Sequence, residues 1–206
     1  MHDLGPTPTD ALACLRAFTA GVLVYGDRAL GVRFVIDPRS GRLLMPLPTD
    51  ALEAHDHVLH LPDERAPSLE ALLSLVETGE RDAGLIERWR AYHGDPSYAR
   101  WRLATVESAR MAGMVYDSAV FAAPNPLAAD QSRVCRALNA DPSRLADICA
   151  ASTHTRPERP VALGVDPDGL DARARFGVIR VAFPRRAADA DDALAILDEL
   201  ARRGTR

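Results

Sequence analysis

The sequence predicts an α+β chain: an antiparallel β-barrel followed by a small α/β domain. Three observations predict it. Three short strand-like runs between Gly21 and Leu47 are separated by tight turns, which makes a meander. Pro160 to Arg203 reads strand, turn, strand, helix. Between the two halves lies Ala122-Ala-Pro-Asn-Pro126, whose two prolines mark a linker.

Taken in order, Thr9 or Asp10 can cap a helix carrying Leu12, Leu15 and Phe18 on one face, stopped by Gly21. Gly21–Tyr25, Leu30–Ile36 and Arg42–Leu47 are the meander strands, with turns at Gly26–Arg28 and Asp37–Gly41. Thr49–Ala54 is a short helical turn, and His57–Leu61 a fourth strand. Ser68–Glu77 is ambiguous: Leu69, Leu72, Leu73 and Val76 keep a helix period, and the residues there favour helix. Gly84–His93 is a helix with Leu85, Ile86, Trp89 and Tyr92 on its apolar face, broken by Asp95-Pro96. Two helices follow the linker, near Asp130–Asn139 and Pro142–Ala151. In the final unit, Val161, Leu163 and Val165 alternate with small residues. Asp166-Pro-Asp-Gly169 suits a tight turn, and Val178–Phe183 is the return strand, ended by Pro184. The last helix carries Leu194, Leu197 and Leu200, with acids at its start and Arg202 and Arg203 at its end, as the helix dipole favours.

At 206 residues the chain fits one large domain or two small ones. No run is long and apolar enough to span a bilayer, and no signal peptide is visible, so a cytoplasmic protein without a membrane partner is expected. All 25 basic residues are Arg, and the formal net charge is −4, which argues against general nucleic-acid binding. Cys14, Cys135 and Cys149 form no Cys-x-x-Cys pair and read as packed structural thiols.

The run Gly164–Asp171, the strand Arg180–Phe183 and the final Leu-rich helix resemble a small C-terminal domain of unassigned role. That domain follows an FMN-binding-type split β-barrel in haem-utilisation proteins of the HugZ type and in relatives of pyridoxamine-phosphate oxidase. A plant protein that binds glutamyl-tRNA reductase shares the pair. Gly21–Leu47 resembles the opening of the split barrel. Trp89–Tyr98 resembles the segment leading into its last strands, here Trp101–Glu107 and Met111–Phe121. The resemblance implies an antiparallel split barrel over residues 1–123, a linker at 124–130, and a C-terminal α/β domain over 131–206. It also implies a strand around Leu72–Val76, which we take over the helix reading, and a homodimer.

Chemistry concentrates in Glu53-Ala-His55-Asp56-His57-Val-Leu-His60. On a strand His55 and His57 would share a face and His60 would point away. Imidazoles suit zinc, copper or haem iron, but a full zinc ligand set is not visible, so no dedicated metal site is expected. In flavin-binding split barrels this region reads like Ser-x-Leu-x-x-His-Thr-x-Asn-Leu and grips the FMN phosphate. Aligned on His55, this chain has Asp50, Asp56 and Val58 where Ser, Thr and Asn should stand. Carboxylates repel a phosphate and Val58 cannot donate, so FMN is disfavoured.

The family's His-x-Asn-Ala-Asp-His is here Ala137-Leu-Asn-Ala-Asp-Pro142, without its histidines, and the C-terminal tail has none. A haem ligand would come from His55, His57, His60, His93 or His154. His57 is the first choice because it begins the fourth strand, and His55 shares its face. Arg33, mid-strand, is an outward residue or a partner for a cofactor carboxylate or propionate. His93 reads as a packing residue and His154 as a loop residue. Three functions remain: a haem-binding or haem-utilisation protein, a cofactor-free binding or regulatory module, and an FMN-dependent oxidoreductase, which the phosphate-site changes place last. No catalytic triad stands out.

Overall fold

The computed structural model describes residues 5–63, 68–98, 100–153 and 155–204 of the 206. The chain divides into two compact units, Met1–Pro124 and Asn125–Arg206.

The first unit opens with α1 (Pro8–Arg16). Its N-cap is Thr7, with Pro8 at the first helical position. Thr7 and Asp10 bond reciprocally as a capping box, so the cap lies two residues before the Thr9 expected from sequence. Eight strands follow: β1 (Ala20–Tyr25), β2 (Arg28–Arg33), β3 (Val35–Ile36), β4 (Leu43–Leu47), β5 (His57–Leu61), β6 (Leu69–Glu77), β7 (Arg100–Met111) and β8 (Met114–Asp117). They interleave with α2 (Thr49–Glu53), α3 (Ala83–His93) and α4 (Ser118–Phe121).

All pairings are antiparallel, in the order β2-β1-β5-β6-β7-β4-β3, with β8 on β7. The two ends of this order, β2 and β3, are separated in the chain by Phe34 alone. The sheet therefore curls into the split barrel, and its inner face holds Leu23, Phe34, Leu43, Met45, Leu47, Leu59, Leu61 and Leu69, all fully buried. Leu12 and Leu15 of α1 join the same core.

Residues 69–77 form a strand. Its inward positions Leu69, Ala71 and Leu73 alternate with Glu70, Leu72 and Ser74, and it is paired on both sides, by β5 and β7. Both ladders together override the local helix preference. The strand expected over Met111–Phe121 stops at Asp117, where the chain turns into α4. Gly41, at φ +71°, closes the turn after β3; a Cβ there would lie 1.9 Å from the carbonyl oxygen of Phe121.

The second unit contains α5 (Gln131–Asn139), α6 (Pro142–Thr153), β9 (Val161–Asp166), β10 (Gly169–Ala174), β11 (Gly177–Ala182) and α7 (Ala190–Gly204). Its antiparallel sheet runs β11-β10-β9. Val165, Leu170, Ala172 and Val181 turn to a core shared with Val134, Leu138, Leu145, Ile148, Ile196 and Leu197 of the helices. Asn125 belongs here too: its side chain donates to the carbonyl of Val165 (2.8 Å) and accepts from the Leu127 amide (2.9 Å).

On the opposite face of this sheet, Arg180 lies between Asp166 (2.7 Å) and Asp171 (3.1 Å), each side chain about one-seventh exposed. Burial works against its charge, but Asp171 and Asp166 outweigh that and raise its pKa above the usual arginine value. Cys149 is fully buried, and desolvation pushes its thiol up to about 11; Cys14 and Cys135 are half-buried.

Candidate functional site on the barrel sheet

The strand β5 decides where the histidines go. Residues 57, 59 and 61 face inward, while Val58 and His60 face out. His55 precedes the strand and is exposed, so it does not share a face with His57. Residues 57 and 60 face opposite ways, as strand alternation requires, but the strand begins too late to include 55.

His57 is buried against α2. Its Nε2–H donates to the carbonyl of Ala51 at 2.6 Å, capping that short helix, and Tyr25 lies beside the ring, 6.3 Å between centroids. That nitrogen is therefore committed to the fold. His60 is half-buried on the outer face. Its Nδ1 is fully enclosed, makes no hydrogen bond among the described residues, and lies 3.9 Å from Oε1 of Glu70. Glu70 is itself held by Arg110, whose Nε donates to its other oxygen at 2.7 Å. These three sit directly opposite one another on neighbouring strands, His60↔Glu70↔Arg110.

Register places Arg33 on the same outer face. Val22 pairs with both His60 and Gly31, and Ala20 pairs with Arg33. From His60 the face runs over Val22 to Gly31, with Val24, Ala29 and Val58 beside it. At strand spacing the His60 and Arg33 backbones are roughly 12 Å apart. The Arg33 side chain is exposed and makes no ion pair among the described residues; its carbonyl accepts from Nε1 of Trp89 at 3.0 Å. A Cβ at Gly31 would meet nothing within 4 Å, so this part of the floor is open.

Asp50 and Asp56 lie toward the other end of β5. Asp50 pairs with Arg28 and accepts from the Tyr25 hydroxyl at 3.2 Å. Desolvation opposes its charge. Hydrogen bonds from Tyr25, the Ala51 amide and Arg28 nevertheless hold its carboxyl below the usual range. Asp50 thus carries its own counter-ion, a pairing that the spacing from Arg28 to Asp50 did not reveal. Asp56 is exposed.

His93 is a packing residue. It donates from Nε2 to the Phe34 carbonyl (3.0 Å) and packs at a tilt against Trp89, which in turn meets Trp101 edge-on. His154 lies outside the described residues. Among those described, no three His, Cys, Asp or Glu side chains gather in a way that could hold a metal ion.

No protein-family model and no curated protein matches the chain. Among solved structures it is similar to the protein Atu2129 (unknown function) from Agrobacterium tumefaciens, at TM-score 0.67 and 16% identity, over 97% of this chain and 98% of that one. At that identity the likeness speaks for the fold. A haem-binding protein from Mycobacterium smegmatis aligns over 98% of this chain and 99% of its own at 19% identity. Its TM-score of 0.47 is too low to carry an argument.

Proposed function

We propose that the outer face of the barrel sheet binds a haem-type tetrapyrrole, with His60 as the iron ligand. The observation that supports this most is the company His60 keeps. It shares one sheet face with Arg33, a cation with no ion pair among the described residues, across a floor of valine, alanine and glycine, and it has a carboxylate behind its Nδ1. A flat, apolar macrocycle with acidic side chains asks for these features: an apolar platform, an imidazole, and a guanidinium for a propionate. Ligation through Nε2 leaves Nδ1–H turned toward Glu70, the second-shell arrangement that orients a metal-bound histidine. His57, the first choice from sequence, would have to release Ala51 to serve, and His55 lies off the strand. Asp50 and Asp56 lie near the far end of β5 from His60, about 10 Å along the strand from residue 57 to 60. That distance, with Arg28 on Asp50, reduces the repulsion the acids would exert on propionates. FMN fits poorly, since Asp50 and Val58 offer a phosphate no donor.

The test is haemin titration followed by absorbance. The unmutated protein should develop a Soret band. His60→Ala should lose or shift it, His55→Ala should leave it unchanged, and Gly31→Leu should weaken binding by filling the floor without disturbing the strand. A band unaltered in His60→Ala removes the ligand assignment, and no band at all in the unmutated protein removes the haem reading. FMN, titrated by fluorescence, should not bind at sub-micromolar concentration.

A further inference from the structure

We propose that the groove at the tip of the β10–β11 hairpin receives the same tip of a second copy of this chain, each Phe176 entering the other copy's groove. This contact is independent of the haem reading.

β11 ends the C-terminal sheet and pairs with β10 alone among the described strands. The hairpin closes on Arg175-Phe176, with Ala174 opposite Gly177. Phe176 is 94% exposed, the most exposed large apolar side chain among the described residues. Between this tip and the 153–158 loop lies a groove of about 410 Å³, whose apolar lining is Pro157, Ala174, Phe176, Val178 and Ile179. At its exposure the Phe176 ring does not fill the groove of its own chain. An aromatic ring held in water beside an apolar groove is a surface that gains by being covered.

Charge selects what covers it. Three charged residues line the groove: Arg156, Glu158 and Arg175. Arg156 is spent within the chain, on Asp147 at 2.8 Å and on Ser143 Oγ at 2.7 Å. Arg175 and Glu158 are exposed, and neither makes an ion pair among the described residues. Arg175 lies over the Phe176 ring, 5.5 Å from its centroid, so it travels with the ring. The rim thus offers one cation and one anion. An acidic segment would meet Glu158 and a basic one Arg175, each a like-charge encounter. A second copy brings both signs. In a two-fold contact residue i meets j and j meets i, so Arg175 of each copy can meet Glu158 of the other as the rings exchange.

The contact is small. A buried ring contributes about 150–250 Å², and a standard interface needs roughly 1,600 Å². The association is therefore weak, falling between micromolar and millimolar chain.

The probe is the full chain itself, carrying Leu72→Asp so that the exposed stripe of β6 takes no part. Sedimentation equilibrium should show monomers at micromolar chain and dimers toward millimolar. Phe176→Ser, Arg175→Glu and Glu158→Arg, all at exposed positions and so safe for folding, should each weaken the association roughly ten-fold or more. Arg175→Glu and Glu158→Arg in one chain should restore it. The two single variants, mixed, should associate with each other, because each supplies the sign the other lacks. A parent chain that stays monomeric toward millimolar, association unchanged in Phe176→Ser, or charge variants rescued neither by mixing nor by the double exchange overturns the proposal. So do phosphatidylcholine vesicles that bind the chain and release it in Phe176→Ser while the chain shows no self-association, which would make the occupant a lipid surface.

Discussion

Replacing Arg180 by Met should destabilise the second unit while leaving the first almost untouched. The guanidinium sits between Asp166 at 2.7 Å and Asp171 at 3.1 Å, and all three side chains are about one-seventh exposed. Met fills much of the same space, so little is lost from packing. What remains is two carboxylates facing one another with little water and without the guanidinium that lay between them. Breaking a buried pair in this way costs about 3–5 kcal/mol. A domain of this size loses roughly 4–8 °C of midpoint per kcal/mol, so a loss of about 3 kcal/mol lowers its melting point by roughly 12–24 °C.

The chain offers a clean assay. Both tryptophans, Trp89 and Trp101, belong to the first unit. Most of the helix belongs to the second, in α5, α6 and α7. Arg180→Met should therefore shift the transition seen by circular dichroism at 222 nm and not the one seen by tryptophan fluorescence. Replacing the group as a whole, with Arg180→Met, Asp166→Asn and Asp171→Asn together, should recover most of the loss. A dichroism midpoint within 3 °C of the parent in the single mutant would refute the reasoning.

Three further outcomes are expected. Burial pushes His93 below its ordinary 6.5, opposed by the Phe34 hydrogen bond and helped by Arg33. Its ring stays neutral in the fold where the unfolded chain is protonated, so the first unit should lose stability as pH falls below about 6.5 toward the folded pKa. Urea midpoints by fluorescence between pH 7.5 and 5 should show this slope, and His93→Gln should flatten it. Cys149, buried with a thiol pKa of about 11, should resist a disulfide reagent at pH 8 until the second unit unfolds, and fast labelling of that residue by mass spectrometry would contradict its burial. Leu72 and Val76 are 42% and 47% exposed on β6, beside Val58, and we propose that a second copy covers them. Light scattering should then give a dimer mass at micromolar concentration and a monomer mass for Leu72→Asp.

The sequence shows the fold through its punctuation. Gly and Pro turns and short β-branched runs delimit most strands, and Asp166-Pro-Asp-Gly169 forms the expected turn, with the Asp168 amide donating to Asp166 Oδ1 at 2.8 Å. Leu69–Glu77 is harder, because leucine, alanine and glutamate favour helix until neighbours on both sides claim the backbone. The site is legible in type but not in detail. That His57 and His60 face opposite ways follows from strand parity. That His57 is spent on Ala51, and that Glu70 and Arg110 line up behind His60, depends on a register that joins residues 10 and 40 positions apart along the chain. The open edge of β11 is invisible in sequence for the same reason: a strand reads alike whether one side or both are paired.

The single residue between β2 and β3 has a kinetic consequence. These strands are the two ends of the sheet order, so the seam of the barrel is joined covalently before any strand has paired. Bringing them together requires almost no loop closure. The costly encounter lies elsewhere, where β4 must find β7 some 60 residues later, Leu43 opposite Ala104. Mutations that weaken this long-range pairing should slow folding, while mutations at Phe34 should act mainly on the rate of unfolding.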